Sequence, residues 1–184
     1  MTKLHSLGPI KTIGLITLYS LFLISSSCQK IQDVELKFDN RLFIAHRGVH
    51  LRHTIAGENS LESIKLAKRA GFQCVETDVR LTADSILVVM HDHTLNRTCL
   101  TINGSELMED VHVAEVTMKD LNSNYILKAT ETGSRTKIPT LKEFLVECKR
   151  QEILPFIEPK IYDETGEHYR DIINLANEIM GRNK

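Results

Sequence analysis

Tryptophan is absent from the 184 residues, and Phe and Tyr supply an aromatic content of only 5%. Surfaces that stack nucleic-acid bases are built from such rings, so a base-stacking platform is excluded. The formal net charge is −1, which lacks the basic footprint of a nucleic-acid binder. No nucleic-acid partner is expected. Cysteine is scarce: Cys28, Cys74, Cys99 and Cys148 are the four in the chain, and their wide spacing matches no zinc pattern. Cys74 and Cys148 fall in apolar patterns and read as small core residues. No internal repeat is visible. The apolar run Ile13–Ile24 is shorter than the roughly 20 residues that cross a bilayer.

That run has another reading. Lys3 and Lys11 flank its start, and Ser25, Ser26 and Ser27 follow it, which is the three-part layout of a secretory signal. Residues 1–27 are expected to form a signal peptide. Cys28 follows directly, as in a bacterial lipoprotein, where it becomes the lipidated first residue; Ser25 departs from the aliphatic residue usual there, and ordinary cleavage near Ser27 is the competing outcome. The expectation is an exported lipoprotein of the bacterial periplasm or outer membrane, held to the membrane through Cys28. Residues 29–40 read as a polar tether and 41–184 as the folded domain.

Within the domain, apolar runs end in polar chemistry four times: at His46-Arg47, Glu76-Thr77-Asp78, His91-Asp92 and Glu158-Pro159-Lys160. The runs are expected as strands over 42–45, 74–79, 86–90 and 154–157. Ser60 predicts the cap of one helix and Thr140, with Glu143 three residues on, a capping box for a second. A third amphipathic helix is expected over 167–180. Residues 93–137 read as a long polar insertion with a short helix near 117–121; long insertions are usually functional. The order β, α, β, β, insertion, α, β, α predicts an α/β fold. Polar groups gathered at the carboxyl ends of strands suit a β/α barrel. A full barrel takes about 250 residues, with about 200 as the lower end, so an incomplete barrel is expected, reaching to a fourth strand and its helix. Only Arg80–Ser85 separate the second and third strands, too few for a crossover helix. They pair either as parallel neighbours or as a hairpin turning at Ala83-Asp84-Ser85.

The chemistry follows from residue type. Alternate residues of a strand share a face, so Glu76 and Asp78 point the same way, as do Glu158 and Lys160. Three carboxylates without a thiolate make a hard oxygen site suited to Ca²⁺ or Mg²⁺. His46 and His91 can act as acid and base, because imidazole titrates near neutrality. Arg47 offers a planar fork for phosphate and Lys160 a point cation. His50, His53, His93, His112 and His168 read as loop or surface residues.

The ordered set His46-Arg47-Gly48, Glu58-Asn59-Ser60, Glu76-Thr77-Asp78-Val79, Leu81-Thr82-Ala83-Asp84, His91-Asp92 with Thr94 to Thr98, Ile138-Pro139-Thr140-Leu141 and Glu158-Pro159-Lys160 resembles the glycerophosphodiester phosphodiesterases. The resemblance implies a TIM-type β/α barrel and metal-dependent hydrolysis of glycerophosphodiesters to an alcohol and sn-glycerol 3-phosphate. It implies Glu76, Asp78 and Glu158 as ligands of Ca²⁺ or Mg²⁺, His46 and His91 as catalytic acid and base, Arg47 and Lys160 at the phosphate, and Glu58 lining the site. It also favours parallel pairing of the second and third strands. Gly57 and His93 stand where prolines are common in the family. The alternatives are an inactive barrel fragment or binding module, self-associating through open barrel edges, and a related phospholipase or sphingomyelinase-like lyase.

Overall fold

Strand β2 (Cys74–Leu81) organises the molecule, whose computed structural model describes residues 42–50, 56–129 and 136–181. The expected leader, Cys28 and the tether lie outside the described residues. β2 runs parallel to β1 (Ile44–Ala45), with Ile44 opposite Cys74 and Ala45 opposite Val75. Along its whole lower length it runs parallel to β6 (Leu154–Pro159), from Cys74 opposite Leu154 to Val79 opposite Pro159. Its upper end pairs antiparallel with β3 (Leu87–Val89) in the register Val79–Val89, Arg80–Val88 and Leu81–Leu87. Val79 is thus paired with both β6 and β3, so those two lie on opposite edges of β2. β1 and β3 share the edge away from β6.

This arrangement corrects the parallel pairing favoured for the second and third strands. β2 overruns the expected end at Val79 by two residues, and Thr82 to Ser85 turn the chain back. Ser85 N–H donates to Thr82 C=O at 3.0 Å and Thr82 N–H to Ile86 C=O at 3.1 Å. The Thr82 hydroxyl bonds Asp84 at 2.6 Å, and Ser85 takes a positive φ of 58°, a backbone state that tight hairpin turns require. β3 is therefore a return strand, and β6 occupies the place beside β2. Among the described residues the barrel wall holds three parallel strands, β1, β2 and β6. The expected partial α/β barrel stands, and the fourth strand expected over 154–157 is β6.

Helices cover one face of this sheet. α1 (Leu61–Arg69) starts where expected, with Ser60 Oγ accepting from Ser63 N–H at 3.1 Å. α3 (Leu141–Arg150) begins with the capping box: Thr140 Oγ1 accepts from Glu143 N–H and the Glu143 carboxylate accepts from Thr140 N–H. α4 spans Glu167–Met180. The odd-numbered β2 residues Val75 and Val79 point toward these helices. Val75 joins Ile64, Ala67, Phe144 and Ile153 in one core cluster, and Val79 joins Leu141, Leu145, Ile172 and Ile179 in another. The even-numbered residues Glu76, Asp78 and Arg80 therefore share the opposite face.

The insertion is more ordered than its polar sequence predicts. It contains an antiparallel pair, β4 (Cys99–Thr101) and β5 (Tyr125–Leu127), and a short helix α2 (Met118–Asn124) capped by Thr117. Its own buried cluster includes Met90, Leu95, Cys99, Val113, Leu121 and Leu127. These apolar residues are widely spaced and follow neither period 2 nor 3.6, which hides them in the sequence. Cys74, Cys99 and Cys148 are buried and unpaired with one another. Burial pushes the Cys99 thiol up to about 12, so it stays protonated and inert.

Candidate active site

The chain leaves β1 through a turn that only glycine permits. Arg47 and Gly48 both take positive φ, 54° and 74°, and Gly48 N–H bonds back to Ala45 C=O at 3.1 Å. A Cβ on Gly48 would lie 2.1 Å from Ser63 Oγ, a contact no packing tolerates. The strained backbone at Arg47 turns its N–H onto Glu76 Oε2 at 2.9 Å. Backbone strain of this kind gathers at functional sites.

Three carboxylates converge there. One oxygen from each of Glu76, Asp78 and Glu158 lies within 4.8 Å of the others. Glu76 and Asp78 come from one face of β2, and the strand register sets Glu158 directly opposite Asp78. Like charges directly opposite in a sheet are destabilising. Burial compounds the cost: Glu76 is 7% exposed and Asp78 is 1% exposed. Burial raises the Glu76 carboxyl above its ordinary pKa; Asp78 and Glu158 push the same way, against the Arg47 N–H bond and His46. Glu158 is exposed, and its bond from the Lys160 ammonium lowers its pKa.

The surrounding cations do not complete this cluster. Lys160 Nζ bonds Glu158 and stands 3.6 Å from Asp78 Oδ1, beyond hydrogen-bond length. Arg47 Nε is 3.3 Å from Asp78 Oδ2 without bonding geometry, and its Nη1 donates to Glu58 at 3.2 Å. Glu76 Oε1 and Asp78 Oδ1 remain buried with no hydrogen-bond partner. Buried carboxylate oxygens without partners are costly. A divalent cation with oxygen ligands answers that need, so the residues fit the Ca²⁺ or Mg²⁺ expected for them.

The two expected catalytic histidines flank the carboxylates from different strand ends. His46 Nε2 is 3.8 Å from Glu76 Oε2 on an exposed side chain. His91 arrives through the hairpin. Met90 N–H donates to Asp78 C=O at 2.9 Å, and the next residue in that register falls beside Thr77. His91 acts electrostatically on Glu158.

Four residues that the sequence left without a role hold this set in place. Asp92 Oδ1 meets His91 Nδ1 at 2.6 Å. Arg97 bonds both Asp92 oxygens, at 2.6 and 3.0 Å, and both Glu58 oxygens, each at 2.8 Å. Those Arg97 bonds lead a set of interactions that lowers the Asp92 pKa. Burial pushes Glu58 up, but Arg97 and Arg47 outweigh it and leave the carboxyl lowered. Glu58 thus bridges two guanidiniums. Asn59 donates to Asp78 Oδ2 at 3.1 Å and accepts from Thr77 Oγ1 at 2.9 Å. Arg80 Nε donates to His91 C=O at 2.7 Å and Nη1 to Lys160 C=O at 3.2 Å. Asn59, Asp92 and Arg97 lay inside the motifs already quoted; only their partners were hidden. Arg80 carried no signal beyond sharing the face of Asp78.

Known proteins resemble this chain in sequence and in fold. The chain is 37% identical over 117 residues to glycerophosphodiester phosphodiesterase 1 of Mus musculus, which covers 64% of this chain and 33% of that protein. It is 34% identical over 139 residues to a glycerophosphodiester phosphodiesterase of Caldanaerobacter subterraneus, covering 69% and 53%. Among solved structures, an Oleispira antarctica phosphodiesterase in complex with the product sn-glycerol-3-phosphate superposes with TM-score 0.56 at 28% identity, over 77% of this chain and 52% of that one. The glycerophosphodiester phosphodiesterase of Agrobacterium tumefaciens gives TM-score 0.58 at 23% identity, over 74% and 54%, a likeness of fold. The chain spans about a third of the mammalian relatives and about half of the solved barrels. Residues 46–182 match the description of the glycerophosphoryl diester phosphodiesterase family, and the chain belongs to that family.

Proposed function

We propose that the chain hydrolyses glycerophosphodiesters to an alcohol and sn-glycerol 3-phosphate, with Glu76, Asp78 and Glu158 holding Ca²⁺ or Mg²⁺. The observation that carries this reading is the carboxylate trio, with buried partnerless oxygens on Glu76 and Asp78, between His46 and the end of β3. A bound cation supplies Lewis acidity at the phosphoryl oxygens. Lys160 and Arg47, adjacent to the same carboxylates, add positive charge for the phosphate. The Nδ1 bond to Asp92 leaves Nε2 of His91 as the nitrogen for proton transfer. The exposed His46 imidazole serves the other proton transfer. One ring takes the proton of the attacking water, whose oxygen bonds phosphorus, and the other delivers a proton to the alcohol oxygen that departs. Glu58 contributes by fixing Arg47 and Arg97.

The test is turnover. The purified protein should release sn-glycerol 3-phosphate from glycerophosphocholine or glycerophosphoinositol with Mg²⁺ or Ca²⁺ present, and EDTA should stop it. Release unaffected by EDTA contradicts the reading. A cyclic phosphate product points instead to the lyase alternative.

One observation favours a second reading. Phe43, Ile44, Leu154 and Phe156 are exposed apolar side chains on β1, β6 and the segment before β1, and β6 has no described strand on its outer edge. Open edges and apolar faces invite pairing. A binding module or self-associating fragment would sediment as a dimer or larger species and release no product. Export as a lipoprotein belongs to the same proposal and rests on the run before Cys28; mass spectrometry of the mature protein would find the acyl chains on Cys28.

A further inference from the structure

Beside Lys160 lies a cavity of about 210 Å³. Arg80, His93, His112 and Lys160 line it, together with apolar Leu81 and Ile161. Sequence pattern gave the two histidines no role. The structure sets their rings 5.6 Å apart at a tilt of 31°. An isolated β-bridge between Thr94 and His112 and the Val113 N–H bond to His93 C=O at 3.0 Å hold that pair. The insertion thus supplies one wall and the catalytic strands the other.

The lining is one-sided in charge. It offers a guanidinium, an ammonium and two imidazoles, and no carboxylate lines it. Asp78 and Asp92 are the acids that act on Arg80 from nearby. Both are engaged: Asp78 by Asn59, Arg47 and Lys160, and Asp92 by Arg97 and His91. Arg80 uses Nε and Nη1 on backbone carbonyls, which leaves Nη2 for a ligand. The apolar side chains that share the lining strengthen any ion pair formed there. A quaternary ammonium is poorly served, because it needs an aromatic cage or a carboxylate. Tyr162 is the one phenol ring in the lining, too few for such a cage.

We propose that this cavity receives a second oxyanion, carried on the departing alcohol of the substrate. Its occupant is a head group bearing a phosphate or carboxylate of its own. The inference rests on the reading of the chain as a glycerophosphodiesterase, and it names the substrate class. The ester phosphate sits at the carboxylate trio, and the head group extends across Lys160 toward His93 and His112.

The experiment compares kcat/KM for glycerophosphoinositol 4-phosphate with that for glycerophosphoinositol, which differs only in the second phosphate. The wild type should prefer the phosphorylated substrate by about tenfold or more, the equivalent of roughly 1.4 kcal/mol. His93→Gln and His112→Gln, each alone, should cut that preference at least about threefold while rates on glycerophosphoinositol hold. Equal rates on both substrates overturn the inference and leave the phosphodiesterase reading standing. Loss of all turnover overturns that reading, and binding then decides the inference. Imidazole NMR signals of His93 and His112 should move on titration with myo-inositol 1,4-bisphosphate and move far less with myo-inositol 1-phosphate. Unmoved signals overturn it.

Discussion

His91 is held by its sequence neighbour. Asp92 fixes the ring through Nδ1, and Arg97 fixes Asp92 against Glu58. Asp92→Asn keeps the shape but removes the charge that selects the ring tautomer. Acid–base catalysis by one positioned group is worth about 10²–10⁴ in rate. Steady-state kinetics of Asp92→Asn should show kcat falling by about 100-fold or more with KM nearly unchanged. A variant within about twofold of wild type would show that Asp92 is dispensable. Gly48 gives a structural test at the same scale. Gly48→Ala meets Ser63 Oγ and a disfavoured φ; the left-handed backbone alone costs about 1–2 kcal/mol. Calorimetry should find a lower Tm, and turnover should fall with the misplaced Arg47 N–H. The convergence of Glu76, Asp78 and Glu158, with His46 beside them, was legible in the sequence because residue type and strand position declare it. Their orienting partners were not, because a salt bridge such as Glu58–Arg97 joins residues 39 apart through a fold the sequence does not display.

At the scale of elements, caps and helices were legible and strand pairing was not. Ser60 and Thr140 announce their helices through local hydrogen bonds, which need only three residues of sequence. Thr140→Ala should destabilise the protein by about 1 kcal/mol, read as a shift in the denaturation midpoint with unchanged slope. No shift would mean that the rest of α3, buried through Leu141, Phe144 and Leu145, holds the helix start unaided. The β2–β3 pairing is a different kind of fact. A parallel neighbour and a hairpin share the same six-residue connection and the same apolar strands. What decides between them is the extension of β2 through Arg80 and Leu81, and those residues read as loop. The hairpin also explains how His91 reaches the site: its strand comes back down beside β2 to the level of Thr77, where a parallel strand would have to climb.

For the whole molecule, the carboxylates set opposing responses to pH. The Asp92 and Glu58 pKa values are lowered in the folded chain. Groups of that kind add stability above their unfolded pKa values, near 4, and lose it as pH falls through the folded ones. Glu76 is raised, so its contribution runs the other way: present at low pH and lost as pH rises through its folded pKa. Thermal melts at pH 5, 4 and 3 in constant salt should therefore show Tm dropping toward acid, and Arg97→Ala should flatten the drop. Parallel profiles for wild type and variant would contradict the assignment. Arg97 is half exposed, so salt should shrink the effect. Raising the salt from about 0.05 to 0.5 M should narrow the difference between the two profiles.

The central claim is that Glu76, Asp78 and Glu158 hold a divalent cation, and calorimetric titration of Ca²⁺ and Mg²⁺ into the protein tests it most directly. The account predicts one cation per chain, with affinity reduced by about tenfold or more in Glu76→Gln and again in Asp78→Asn. Absence of binding to the folded wild type, or binding that both variants leave untouched, would contradict it.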